Sequence, residues 1–367
     1  MADGTAAAAE QLGSFAHLLV ICFCLVCSVL ALRWRTERKV EAEHNEDAAE
    51  ENEAPNKLCS ACGKKSDTLK KCNGCKCVWY CDKKCQNKHR KEHKNECRRI
   101  KKVLDKRGGK LDLGTELDLC PIGKVPPREE CPICMQVLPI HVQLRTYFAC
   151  CGKTLCGGCN FQHQMKSEEE GVPPTCAFCR TPLPESDEEV LARLRKRVKC
   201  NDPQAIQSIA LKYGNGLNGL QVDQDKCIDL LRKSAGLGYP LAQYQLGYFH
   251  DDGDMGLEQN EEEALKYYKE AAEGGQVLAR HDLSCAEAQN GDPVAAMRHC
   301  RLSASAGFRL SMKKLVECFE KGILHHGDLA ETLQNMYLAR AEMKSKDRDQ
   351  FIKYLKETGK YLEAYDW

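Results

Sequence analysis

Sixteen side chains between residues 59 and 179 have the chemistry and spacing of soft-metal ligands. The first eight are Cys59-x2-Cys62, Cys72-x2-Cys75, Cys81-x3-Cys85 and His93-x3-Cys97. Eight such donors make two tetrahedral sets, the arrangement that structural zinc requires. The later pairs stand four residues apart, so one helical turn puts both members on one face, aimed at one ion. A segment of this length cannot bury a core of its own, and metal binding must supply most of its folding free energy. The second eight are Cys131, Cys134, Cys150, Cys151, Cys156, Cys159, Cys176 and Cys179, again enough for two zinc ions. Adjacent Cys150 and Cys151 are a tight pair on one ion; with Cys151 alone, His141 or His163 would have to give the eighth donor, or the site would be incomplete. We take both cysteines as ligands.

The whole chain frames this reading. It has 367 residues and 25 cysteines, 17 of them between Cys59 and Cys179. Disulfide scaffolds are short and uniformly rich in cysteine. Paired C-x-x-C spacings inside a long chain point instead to metal in a reducing compartment. The net charge of +1 argues against a nucleic-acid binder built on overall positive charge, and 43% hydrophobic content is that of a globular chain. Thirteen bases and three acids lie between Lys83 and Lys110 without interleaved aromatics, which reads as the solvated face of a helix. Cys77 and His89 read as a spare thiol and a surface histidine, and Cys120 as a linker cysteine.

The 59–97 spacing, with Tyr80 before Cys81 and Gln86 after Cys85, resembles the MYND-type zinc finger. The resemblance implies interleaved sites, one on Cys59, Cys62, Cys81 and Cys85, the other on Cys72, Cys75, His93 and Cys97, and a protein-binding role. Arg90 stands where the family often has a tryptophan, which bears on the peptide-binding surface. The segment 131–180 resembles an all-cysteine RING-type finger. That resemblance implies a cross-brace of Cys131, Cys134, Cys156 and Cys159 against Cys150, Cys151, Cys176 and Cys179, with a short helix over Asn160–Glu170. It also implies contact with a ubiquitin-conjugating enzyme through Ile133, Arg180, Pro182 and Leu183. Such a finger has no covalent catalytic residue; it positions a charged thioester. Ala177 replaces the usual proline of the last pair.

Ahead of the fingers, Phe15–Leu32 is an apolar run of 18 residues, about 27 Å as a helix and long enough to span a membrane. No base precedes it and Arg33, Arg35, Arg38 and Lys39 follow, so the expectation is a single anchor with residues 1–14 lumenal or extracellular and the bulk cytosolic. Residues 33–56 turn from basic to acidic and read as a flexible tether, and 98–130 as a basic helix and linker.

Behind the fingers a period appears. Ala205, Ala242, Ala279 and Ser311 open matching segments, with Ile209, Leu246, Leu283 and Leu315 four positions on and Ala210, Gly247, Ser284 and Val316 next. Second helices carry Ala235, Ala272 and Ala304, each followed three positions later by Gly238, Gly275 or Gly307. The pattern resembles Sel1-like repeats, relatives of the tetratricopeptide family, over 202–341, and implies a helical solenoid that binds proteins. Residues 342–367 read as a charged tail, and Cys227, Cys285, Cys300 and Cys318 as small core residues.

The expected fold is therefore multidomain: an anchor helix, two small cross-braced α+β zinc modules holding four zinc ions, and an all-α solenoid. The combination resembles multidomain zinc-finger proteins of diatom-type protists. Two functions fit: a membrane-anchored RING-type ubiquitin-protein ligase that recruits substrates through its repeats and MYND finger, or a non-enzymatic scaffold for protein–protein interaction. Nucleic acid is not an expected partner. A lysine methyltransferase reading fails because no cofactor-binding motif of that kind is present.

Overall fold

The computed structural model describes residues 58–111 and 128–360. The candidate anchor Phe15–Leu32, the tether and Cys120 lie outside them. Among the described residues no helix is long and apolar enough to cross a membrane. The chain forms two compact units. Of the described residues, one holds 58–111, 281–301 and 313–331, the other 128–280, 302–312 and 332–360.

In the first unit, strands β1 (Lys70–Lys71) and β2 (Trp79–Tyr80) pair antiparallel and lead into the 24-residue helix α1 (Lys83–Lys106). Asp82 caps that helix, its carboxylate accepting from the Cys85 N–H at 2.8 Å. His89, His93, Ile100 and Leu104 are buried along one side, while Lys83, Lys84, Lys88, Arg90, Lys91 and Lys94 are exposed on the other. The basic stretch is thus a solvated helix face with an apolar seam beneath it. Arg99 makes a bidentate pair with Glu320, both bonds 2.8 Å. Arg107 donates to the Phe319 carbonyl and lies over its ring.

In the second unit, β3 (Arg145–Phe148) and β4 (Lys153–Cys156) form a hairpin in which Phe148 pairs with Lys153. Cys150 and Cys151 therefore sit in its turn, followed by Gly152 at φ +69°. Helix α2 (Gly157–Glu169) starts directly after β4, and α3 (Asp187–Lys199) follows, capped by Ser186.

The repeats begin with α4 (Pro203–Asn215) and α5 (Gln224–Gly236), then α6 (Pro240–Asp252) and α7 (Glu261–Glu273). Asp202, Asp223 and Asn260 cap three of these helices, and Pro203 and Pro240 occupy first-turn positions where no N–H is needed. Four further helices follow: α8 (Val277–Gln289), α9 (Pro293–Ser305), α10 (Arg309–Glu320) and α11 (His326–Glu342). The periodic positions are core. Ala205, Ala242, Ala279 and Ser311 are all fully buried, as are Leu246 and Leu315. Gly238, Gly275 and Gly307 adopt φ of +80°, +89° and +109°, values that favour glycine and end each second helix.

The stretch read as a charged tail is different. Lys346–Glu357 is a regular helix, α12, capped by Ser345 and packed on α2. Its few apolar residues, Phe351, Ile352 and Leu355, fall on one side amid charges, so composition concealed it.

Candidate metal centres

Four groups of side chains converge: Cys59, Cys62, Cys81 and Cys85; Cys72, Cys75, His93 and Cys97; Cys131, Cys134, Cys156 and Cys159; and Cys150, Cys151, Cys176 and Cys179. In each, all ligand atoms lie within 4.8 Å of one another. The closest sulfur pairs include Cys62–Cys81 and Cys72–Cys97 at 3.6 Å, Cys151–Cys176 at 3.9 Å and Cys150–Cys179 at 3.4 Å. A disulfide needs about 2.05 Å. Two sulfurs at tetrahedral corners about 2.3 Å from one zinc stand about 3.8 Å apart, which is the spacing seen.

The backbone is built for this. Cys59-x2-Cys62, Cys72-x2-Cys75, Cys131-x2-Cys134 and Cys176-x2-Cys179 share one knuckle. In each, the residue after the second cysteine is left-handed: Gly63, Lys76, Met135 and Arg180, at φ +72°, +60°, +56° and +62°. Its N–H returns to the first cysteine's carbonyl at 2.8, 3.1, 2.8 and 2.9 Å. Three of these are non-glycine residues, a strained conformation that points to a functional constraint on the knuckle. The same device in both modules shows that their cysteine pairs are folded for one task.

Electrostatics agrees. Within each quartet one thiol ionises most readily. Burial opposes ionisation of Cys59, but N–H groups of Ala61, Cys81 and Cys62 bring it down to about 7. Cys179 falls to about 6, where Thr181 outweighs burial. Hydrogen bonds from neighbouring thiols lower Cys72 and Cys131 strongly. Cys85 and Cys151 are driven up, to about 12 and about 11, chiefly by burial. Thiols packed this closely cannot all be thiolates without a cation among them.

Second-row groups escaped the sequence. His89 is not a surface histidine: it is buried, its Nδ1 3.0 Å from the Tyr80 hydroxyl and its ring stacked on His93. Cys77 is not a spare thiol either. It is buried, 3.3 Å from His326 Nε2, which also donates to the Cys75 carbonyl at 2.8 Å. Such partners orient a ligand and fix its electronics. No local spacing could reveal His326, 249 residues from Cys77.

The alternative donors of the fourth site are elsewhere. His163 bonds Thr175 and Arg180, and His141 lies against Phe308. A fifth group, His281, Asp282 and Cys285, also gathers. There Lys314 Nζ is 2.7 Å from the Cys285 sulfur, an ammonium in the place a metal cation would take. Cys227, Cys300 and Cys318 are buried core residues, whereas Cys285 is half-buried.

Family models match two parts of the chain: the MYND finger over residues 59–97, and the Sel1 repeat over 204–239 and 240–276. Curated relatives are similar over short stretches. Histone-lysine N-methyltransferase Smyd1 of Mus musculus is 45% identical over 47 residues, 13% of this chain and 10% of that protein. An F-box protein of Arabidopsis thaliana is 29% identical over 124 residues, 33% of this chain and 32% of that protein. Chitin synthase regulatory factor 2 of Schizosaccharomyces pombe is 28% identical over 136 residues, 35% and 26% of the two chains. The chain thus spans a third or less of each. Among solved structures, a Sel1 repeat protein from Oxalobacter formigenes is 28% identical and covers 35% of this chain and 97% of its own, with a TM-score of 0.32. The protective antigen c5321 of uropathogenic Escherichia coli is 21% identical, covering 55% and 41%, with a TM-score of 0.37. The solenoid assignment rests on the repeat match and the helix pairs rather than on these overlays. A zinc-binding MYND finger combined with Sel1 repeats fits a protein-interaction adaptor.

Proposed function

We propose that the chain is a membrane-anchored adaptor with ubiquitin-protein ligase activity, its second zinc module acting as a RING-type finger. One observation carries the reading. The surface of that module exposes Ile133 (42%), Met135 (68%) and Phe178 (43%), with Pro182 also exposed and Leu183 half-buried beneath. Large apolar side chains exposed on a small polar module favour a protein-docking role. Arg180, two residues after Phe178, is exposed as well. Its guanidinium donates to His163 Nδ1 at 2.9 Å, and burial together with the Arg180 charge holds that imidazole below its usual value, hence neutral and able to accept. A planar donor fixed by that bond suits bridging a conjugating enzyme to its cargo.

In this reading each module holds two zinc ions on the quartets described above, four in all. The modules supply no nucleophile; the metal holds the fold that positions the docking residues. The MYND finger and repeats recruit substrates, and Phe15–Leu32 anchors the chain with its bulk in the cytosol. Full-length protein incubated with activating enzyme, a panel of conjugating enzymes, ubiquitin and ATP should build chains, and Ile133→Ala or Arg180→Ala should abolish them. No chains with any conjugating enzyme would leave the scaffold reading instead.

A further inference from the structure

Arg348, on α12, is only 2% exposed, and among the described residues no carboxylate pairs with it. Its Nη1 donates to the carbonyls of Val137 and Met343, both at 2.7 Å. Its Nη2 reaches the Gln136 carbonyl at 3.4 Å and the Cys134 sulfur at 3.5 Å. A buried guanidinium held by carbonyls and a sulfur, without a carboxylate, is costly and calls for negative charge nearby. The third quartet supplies it. Four thiolates around a divalent ion leave a net charge of −2, and Cys134 is one of the four.

The packing around Arg348 is equally specific. A Cβ on Gly157 would lie 2.2 Å from the Phe351 ring, and one on Gly158 only 2.6 Å from the Arg348 backbone nitrogen. Both glycines sit between the ligands Cys156 and Cys159, so α12 lies directly on the metal-binding turn. Phe161 packs on Phe351 and Tyr354, with centroids 5.7 and 5.0 Å away, and Gln136 donates to the Lys344 carbonyl. The loop that Arg348 grips, Cys134–Val137, is also the one that presents Met135 and adjoins Ile133.

We propose that Arg348 is a positioning residue for the zinc–tetrathiolate of Cys131, Cys134, Cys156 and Cys159, and that α12 is a zinc-dependent latch. With metal bound, the anionic cluster holds the guanidinium and α12 closes on α2; when metal leaves and its ligand thiolates take up protons from solvent, the buried cation loses its counter-charge and α12 lets go. The inference rests on zinc binding by the second module and not on ligase activity.

Hydrogen exchange of the full chain, before and after chelation with metal content measured in parallel, tests it. In the zinc-loaded protein residues 346–357 should be protected. Removal of zinc should speed their exchange about tenfold or more while α4–α7 keep their protection. Arg348→Gln in the loaded protein should speed zinc loss to a chromogenic chelator about tenfold from one site, in keeping with the usual effect of deleting a ligand's hydrogen-bond partner, and Arg348→Lys should fall between. Unchanged protection of 346–357 in protein shown to have lost its zinc would overturn the latch, as would α4–α7 exchanging in step with α12. Absence of zinc from the second module as isolated would instead sink the metal reading beneath it. The chelation arm needs no variant, so a variant that fails to fold does not blunt the test.

Discussion

Cys150 and Cys151 put two neighbouring thiols on one centre, and the β3–β4 turn explains how. The hairpin closes with Phe148 opposite Lys153, and the Cys151 and Gly152 N–H groups both return to the Phe148 carbonyl, which turns both sulfurs toward Cys176 and Cys179. Each should therefore be required. Cys150→Ala and Cys151→Ala, measured separately by metal analysis, should each lose one equivalent of zinc, and full stoichiometry in either would remove that residue from the site. The ligand pairs were legible in the sequence because most of them are local, three or four residues apart, whereas their interleaving into quartets came from the family resemblances and Cys150–Cys151 had no such spacing. Cys77, His326 and Arg348 were not legible, because what each does is decided by a partner from a distant part of the chain; His89 was missed although Tyr80 and His93 are its near neighbours in sequence, because its burial is set by the fold and not by spacing. Arg180 lies between these cases: its place after the final cysteine could be read, but its left-handed backbone and its bond to His163 could not.

At the level of elements, small residues decide where helices may touch. Gly247 in α6 faces Tyr268 of α7, and an added Cβ would come within 2.7 Å of that ring. Overpacking costs about 1–3 kcal/mol, against a gain of about 1 kcal/mol from replacing a mid-helix glycine. Gly247→Ala should therefore destabilise the repeats by about 1 kcal/mol in denaturant unfolding. Gly236, the last residue of α5, has open space around it. Gly236→Ala should act in the opposite sense, stabilising by about 0.5–1 kcal/mol. The period of small residues made α4–α7 readable, since it records helix contact directly. Helix α12 carries no such record; a single capping serine and one apolar strip among lysines and acids look like a tail until α2 is there to receive them.

Over the whole molecule, buried charge ties together parts of the chain that sequence leaves apart. Arg301 of α9 is 2% exposed and meets Asp328 at 2.7 Å and Glu331 at 2.8 Å, both on α11. Arg301→Met would leave two carboxylates facing each other across a buried space. Loss of one partner from such a group costs about 3–5 kcal/mol when fully buried, and Glu331 is half in water, so about 2–3 kcal/mol is expected from urea unfolding. A loss under about 0.5 kcal/mol would mean that the pair contributes only geometry.

The contact between Cys77 and His326 also sets a schedule for synthesis. At about 5–20 residues per second, the ribosome needs on the order of 10–50 s to make the 249 residues that separate them. For most of that interval, once Cys97 has been made, the first finger is complete as a ligand set but lacks the histidine that will cover Cys75 and Cys77. Early zinc capture would be what keeps those thiols from oxidation or aggregation while the rest of the chain emerges, so scarcity of zinc should harm the nascent protein far more than the finished one.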